Sequence, residues 1–192
     1  MQAKDIVLGL LMQGPKSGYD IKQAYELNLS HFFDASYGSV YPTLKQLEKA
    51  GHIRKETIIQ EGKPNKHVYS ITDEGRQKFV QYLASPVQPD LYRSDVLARL
   101  YFGGFAHVQE VTGWLEETLE LRQSLLQQLE AVYEESKTIL SPPQMLSLQL
   151  GLIDYRSQIC MFERAISYLK SGYNNGEQIE SLHELEWWKV AK

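Results

Sequence analysis

One cysteine, Cys160, stands in a chain of 192 residues. A lone thiol excludes an internal disulfide framework and a cysteine-based zinc site. No apolar run approaches the roughly 20 residues that a membrane helix needs, so a membrane is not an expected partner. The start, Met1-Gln2-Ala3-Lys4-Asp5, has neither the basic beginning nor the small-residue cleavage site of a signal peptide, and a reducing cytoplasm is the expected location. The histidines His31, His52, His67, His107 and His183 are scattered without metal-ligand spacing. No Gly-rich phosphate loop or nucleophile elbow is present. Cys160 lies between apolar Ile159 and Met161, as a packed thiol does. An enzyme, a cofactor and a metal are therefore not expected.

Basic charge is also scarce, with a net charge of −4. Its distribution matters more than its total. Residues 1–85 hold 11 Lys and Arg against 9 Asp and Glu, while residues 86–192 hold 9 against 15. Six basic residues fall between Tyr37 and His67 (Lys45, Lys49, Arg54, Lys55, Lys63, Lys66) against three acids. A basic segment in front of an acidic half suits a polyanion-binding domain joined to a part that avoids polyanions.

What is present begins with helices. Ile6 to Leu11 is an apolar cluster stopped by Gly14-Pro15. Ser17 and Asp20 have the spacing of a capping box, and Ile21, Ala24, Tyr25 and Asn28 recur at helical spacing behind it. Phe32 and Phe33 are expected to seal the end of this second helix. In the third segment Pro42 sits in a first helical turn, where a missing N–H is tolerated. Val40, Leu44 and Leu47 lie within about 60° of one another on a helical wheel and form one buried stripe. Ser39, Pro42, Lys45, Gln46 and Lys49 are expected on the opposite face, and Gly51 closes the helix. Ile53 to Gln60 reads as a strand, Glu61 to Lys66 as a turn-rich loop and His67 to Ile71 as the returning strand. Thr72 then caps a further helix. A projecting basic hairpin beside a basic helix is the wing of a winged helix-turn-helix, placed here over residues 1–85.

Gly18-Tyr19-Asp20-Ile21, Gly38-Ser39-Val40-Tyr41-Pro42-Thr43-Leu44, Leu47-Glu48-Lys49-Ala50-Gly51-His52-Ile53 and Tyr69-Ser70-Ile71-Thr72-Asp73-Glu74-Gly75-Arg76 together resemble the PadR family of bacterial transcription regulators. The resemblance covers most of residues 1–80. It implies a homodimeric winged-helix repressor on operator DNA, often relieved by a small molecule. It also implies DNA contact by Tyr41, whose ring would otherwise pack on Leu44 and the hairpin. Lys45 and Lys49 are expected at phosphates, which gives affinity and salt dependence more than sequence choice. Ser39 and Thr43 would bond phosphate or base edges, and Lys63, Lys66 and His67 are the expected wing contacts. Tyr19 is expected in the core. A winged helix that binds protein and not DNA is the alternative.

Pro86-Val87-Gln88-Pro89 marks a boundary. Residues 86–192 read as a long-helix dimerisation and effector-sensing domain, so the chain is mainly α with a small β-hairpin. A short helix over 94–102 broken at Gly103-Gly104 precedes long helices over about 108–140 and 144–171, separated by Ser141-Pro142-Pro143. Met145, Leu148, Leu152, Tyr155, Ile159, Phe162, Ile166 and Leu169 alternate spacings of three and four, the pattern of a coiled-coil seam. That seam fits either a hairpin within one subunit or a dimer. Leu121, Leu125, Ile153 and Met161 are left over as a second face. Trp114, Tyr155, Tyr168, Trp187 and Trp188 supply aromatic surface, and Arg122 and Arg156 interrupt apolar faces. Trp114, Arg122, Tyr155 and Arg156 are the candidate residues for an aromatic effector. The default for the aromatics is core or seam packing, and for the arginines it is pairing with glutamates of the same domain.

Overall fold

The computed structural model describes residues 2–25, 40–59, 65–90 and 92–173. The expected features at Asn28, Phe32, Phe33, Ser39, Lys63, Trp187 and Trp188 lie outside these residues. The described residues fall into two compact units that divide between Asp90 and Leu91.

In the first unit, α1 (Ala3–Met12) buries Ile6, Val7, Leu8, Leu10 and Leu11. The chain leaves α1 through Gly14, whose φ of 133° suits a residue without Cβ. Strand β1 (Lys16–Ser17) follows, then α2 (Gly18–Ala24). The predicted capping box at α2 is formed: Asp20 N–H donates to Ser17 Oγ at 3.2 Å, and Ser17 N–H donates to Asp20 Oδ2 at 2.9 Å. α3 (Val40–Lys49) buries Val40, Thr43, Leu44 and Leu47 against α1 and α2. It ends at Gly51, φ 74°, in a Schellman motif: His52 N–H donates to Leu47 O and Gly51 N–H to Glu48 O, both at 3.0 Å.

Strands β2 (Ile53–Ile58) and β3 (Lys66–Ile71) form the hairpin, with Ile53 opposite Ile71 and Ile58 opposite Lys66. The ladder stops at Ile58, earlier than expected, so Lys66 is the first residue of β3 and not part of the loop. β1 pairs antiparallel with β3, giving the sheet order β1-β3-β2. A two-residue strand carries no alternation, so its sequence gives no strand signal.

α4 (Asp73–Leu83) starts at the predicted cap, with Gly75 N–H donating to Thr72 Oγ1 at 3.1 Å. The Thr72 hydroxyl itself donates to Gly51 O at 2.7 Å, and Thr72 N–H to His52 O at 3.0 Å. Thr72 thus joins the end of α3 to the start of α4. Gly75 closes the joint: a Cβ there would lie 2.1 Å from His52 O and 2.9 Å from Ile71 Cγ1.

The second unit contains α5 (Asp95–Tyr101), a 3-10 turn (Gly103–Phe105), α6 (Val108–Ser136) and α7 (Pro142–Tyr173). Pro142 and Pro143 form the first turn of α7, where neither needs an N–H, and do more than terminate α6. Ser141 N–H and Oγ both donate to Gln144 Oε1, at 3.0 and 2.7 Å. α6 and α7 pack on each other as an αα-hairpin, so the alternating seam of α7 is satisfied within the chain. One cluster joins Val96, Leu115, Phe162 and Ile166, and another joins Leu129, Leu148, Leu152 and Tyr155. Leu125, expected on a second face, packs in the latter cluster. Leu121, Ile153 and Met161 remain exposed, as does Cys160, against the packed thiol expected from its apolar neighbours.

Two outcomes follow. Gly75→Ala should lose about 3 kcal/mol by overpacking, despite the better helix propensity of alanine; an unchanged midpoint in urea would contradict this. The Asp20 carboxyl is held below its usual value chiefly by the Ser17 backbone and hydroxyl, helped by Lys66 and Lys16 against the opposing effect of burial. A depressed pKa means stability present above the ordinary aspartate range and lost as pH falls through the folded-state value. Asp20→Ala should therefore cost about 1 kcal/mol near neutral pH, and the gap should close in acid. Urea titrations at both pH values check this, and a gap independent of pH would contradict it.

Candidate nucleic-acid interface

The burial of one face of α3 decides what its other face offers. Tyr41, Pro42, Lys45, Gln46, Glu48 and Lys49 are all exposed. Thr43 is not; it is 7% exposed and is corrected from the expected DNA contacts. On the wheel it lies about 60° from Val40 and about 40° from Leu47, within the buried stripe. Its hydroxyl group does not override that geometry. Lys49 also stands in the last turn of α3, where a cation suits the helix dipole.

Tyr41 is 58% exposed, and its ring lies against Gly18 at the start of α2, not sealed beneath the hairpin. Tyr69, in β3, is buried, which pushes its phenol up, with Glu48 and Tyr41 adding to the effect. Tyr69 therefore stays neutral beneath the junction of α2, α3 and the hairpin. Tyr19, expected in the core, is 67% exposed on the first turn of α2. Gly18, the neighbouring residue, is buried in its place.

On the hairpin, Lys66 and His67 are both exposed. Lys66 Nζ lies 3.9 Å from Asp20 Oδ2, so its charge is drawn toward the start of α2. His67 Nδ1 shares a 3.1 Å hydrogen bond with the Thr57 hydroxyl of the facing strand. Arg54 and Lys55 are exposed on β2 and add cations beside those expected at the loop. Their spacing in an isoleucine-rich strand was the available signal.

The effector candidates do not converge. Trp114 is half-buried against the Val96 cluster, with the Arg99 guanidinium 5.6 Å from its ring centre. Tyr155 belongs to the Leu129 cluster, and burial raises its phenol while the charge of Arg122 draws it back. Arg122 Nε is buried without a hydrogen-bond partner among the described residues. Arg156 is exposed and paired with Glu130 at 2.8 Å. Arg122 and Tyr155 are thus neighbours, whereas Trp114 packs in a separate cluster and Arg156 is already occupied. A cavity of about 440 Å³ opens elsewhere, between α5, the 3-10 turn, α6 and α7, with Leu100, Val111, Phe162 and Tyr168 in its wall. Apolar periodicity marks which residues turn inward, but not where they leave space. Among the described residues no helix is long and apolar enough to cross a membrane.

Known proteins share this arrangement. The model for the transcriptional regulator PadR-like family matches residues 7–81. The negative transcriptional regulator PadR of Bacillus subtilis is 32% identical over 150 residues, covering 77% of this chain and 82% of that protein. A crystal structure of a PadR-like transcriptional regulator from Bacillus cereus is similar at 37% identity and a TM-score of 0.81, covering 89% of this chain and 99% of that one. The Bacillus subtilis PadR structure in complex with operator DNA is similar at 29% identity and a TM-score of 0.74, covering 86% of this chain and 98% of that one. The same PadR in complex with p-coumaric acid is similar at 26% identity and a TM-score of 0.69, over 87% of this chain and 98% of that one. These relatives are transcriptional regulators and not enzymes. With the curated match running through most of both proteins, this chain belongs to the PadR-like family of transcriptional regulators.

Proposed function

We propose that the chain is a homodimeric repressor of the cytoplasm that binds a pseudo-palindromic operator and is released by a small molecule. Residues 1–85 bind DNA and residues 86–192 hold the two copies together. The outward face of α3 carries the proposal: Tyr41, Pro42, Lys45, Gln46 and Lys49 stand exposed on a helix whose other face is locked in the core. Ser39, Lys63, Lys66 and His67 complete the contacts. Lysines neutralise phosphate and supply affinity, and no arginine stands on α3 to read guanine strongly. Specificity then rests on DNA shape and on the spacing of two half-sites.

A second copy is supported by apolar surface on the helical unit. Tyr101, Phe102 and Phe105 are 84%, 62% and 95% exposed, and Leu146, Leu150 and Ile153 are exposed along α7. Three large exposed aromatics within five residues support an interface there. Release by an aromatic molecule is supported by the p-coumaric acid complex of Bacillus subtilis PadR. The 440 Å³ cavity has no lysine or arginine in its wall and suits an uncharged ring. Arg122 and Tyr155 stand outside that cavity and would meet a carboxylate only at a separate site.

The test is Lys45→Ala combined with Lys49→Ala, titrated with duplex DNA from upstream of the chain's own gene. Affinity at low salt should fall about tenfold, and the slope of log K against log salt should become shallower by about two per bound protomer, with the fold unchanged. Unchanged binding would reject this face, and no binding by the unsubstituted chain at low salt would favour a winged helix that binds protein.

A further inference from the structure

Gly18 opens α2 and is buried, although α2 does not need a glycine there for conformational reasons. The glycines of positive φ among the described residues are Gly14 and Gly51, so the Gly18 backbone is open to any L-residue. Alanine is also the better helix former. What a side chain there would meet is the Tyr41 ring, which would have to move aside. A Cβ on Gly18 would lie 2.8 Å from Tyr41 Cε1, 3.4 Å from Cζ and 3.5 Å from the phenol oxygen. One edge of the ring, from Cε1 to the hydroxyl, therefore rests on the bare Cα of α2.

Tyr41 is more than half exposed at the first turn of α3. A tyrosine so placed ordinarily exchanges rotamers, and ordering it on binding costs affinity. A seat on Gly18 would restrict that freedom in advance. Lys66 is drawn to Asp20 two residues along α2, so helix and hairpin both register on this one turn.

We infer that Gly18 is a positioning residue for DNA binding: its missing side chain is the seat that holds the Tyr41 phenol ready on the outward face of α3. This rests on the reading of that face as the DNA contact. Gly18 touches no DNA and acts through Tyr41 alone.

The experiment uses the full chain and a labelled duplex from upstream of its own gene. Gly18→Ala, Tyr41→Ala, the two combined and the Lys45→Ala/Lys49→Ala pair are compared for affinity and melting temperature. Gly18→Ala should weaken binding about tenfold, the scale of ordering one side chain, while its melting temperature holds or rises. In the Tyr41→Ala background the same substitution should add nothing, because the ring it displaces is gone. Wild-type affinity for a folded Gly18→Ala protein would overturn the inference, as would full additivity with Tyr41→Ala. If Gly18→Ala alone fails to fold, the double variant should restore the wild-type melting temperature, and failure to do so also overturns it. If the lysine pair and Tyr41→Ala both bind as wild type, the DNA face itself falls and the inference falls with it. If they weaken binding and Gly18→Ala does not, only the inference falls.

Discussion

Val40, Leu44 and Leu47 on one side of α3 are each at most 3% exposed, packed with Ile6, Leu11 and Ile21. Burying one such side chain contributes about 1.5–3 kcal/mol, and a domain's whole net stability is about 5–15 kcal/mol. The helix therefore cannot turn about its axis without unfolding the unit. The outward position of Lys45, Gln46 and Lys49 is a consequence of that burial and not an independent feature. A regulator needs this rigidity, because a reading helix free to rotate would present a different set of side chains at each encounter.

A second constraint ties the hairpin to the helix. The Schellman turn at Gly51 leaves Gly51 O and His52 O facing Thr72, and Thr72 bonds to both. Gly75 lies too close to His52 O for any Cβ, so α4 packs directly on the turn that ends α3. β2 and β3 are thereby anchored at their base on both strands. The hairpin's cations keep a set distance from those of α3, which a two-point contact with a duplex requires.

The elements visible in the sequence are those specified by residues three or four apart. Ser17 with Asp20, Gly51 behind α3 and Thr72 before α4 each act within one turn, so spacing alone reveals them. The buried stripe of α3 was legible for the same reason. The polarity of Thr43 suggests a DNA contact, although its angle on the wheel is that of a core residue. β1 gives no sequence signal because two residues carry no period, and the place of Lys66 depends on register with Ile58, which turn residues do not reveal. The α7 seam was legible as a seam, but periodicity does not say whether the partner helix belongs to the same chain. The scattering of Trp114, Arg122, Tyr155 and Arg156 depends on tertiary packing, as does the cavity lined by Leu100 and Phe162.

The charge asymmetry ties the halves together in the proposed dimer. An acidic helical part is repelled by phosphate, and the cations of α3 and β2 are left as the surface that a duplex accepts. With no arginine on α3, one copy would have little power to choose a sequence, and in the proposed dimer two copies at a set spacing would supply it. Hydroxyl-radical footprinting on DNA upstream of the chain's own gene tests this most directly. Two protected lobes on one face of the duplex, about one helical turn apart, are expected. A single lobe, or no protection at concentrations that saturate binding at low salt, would contradict it.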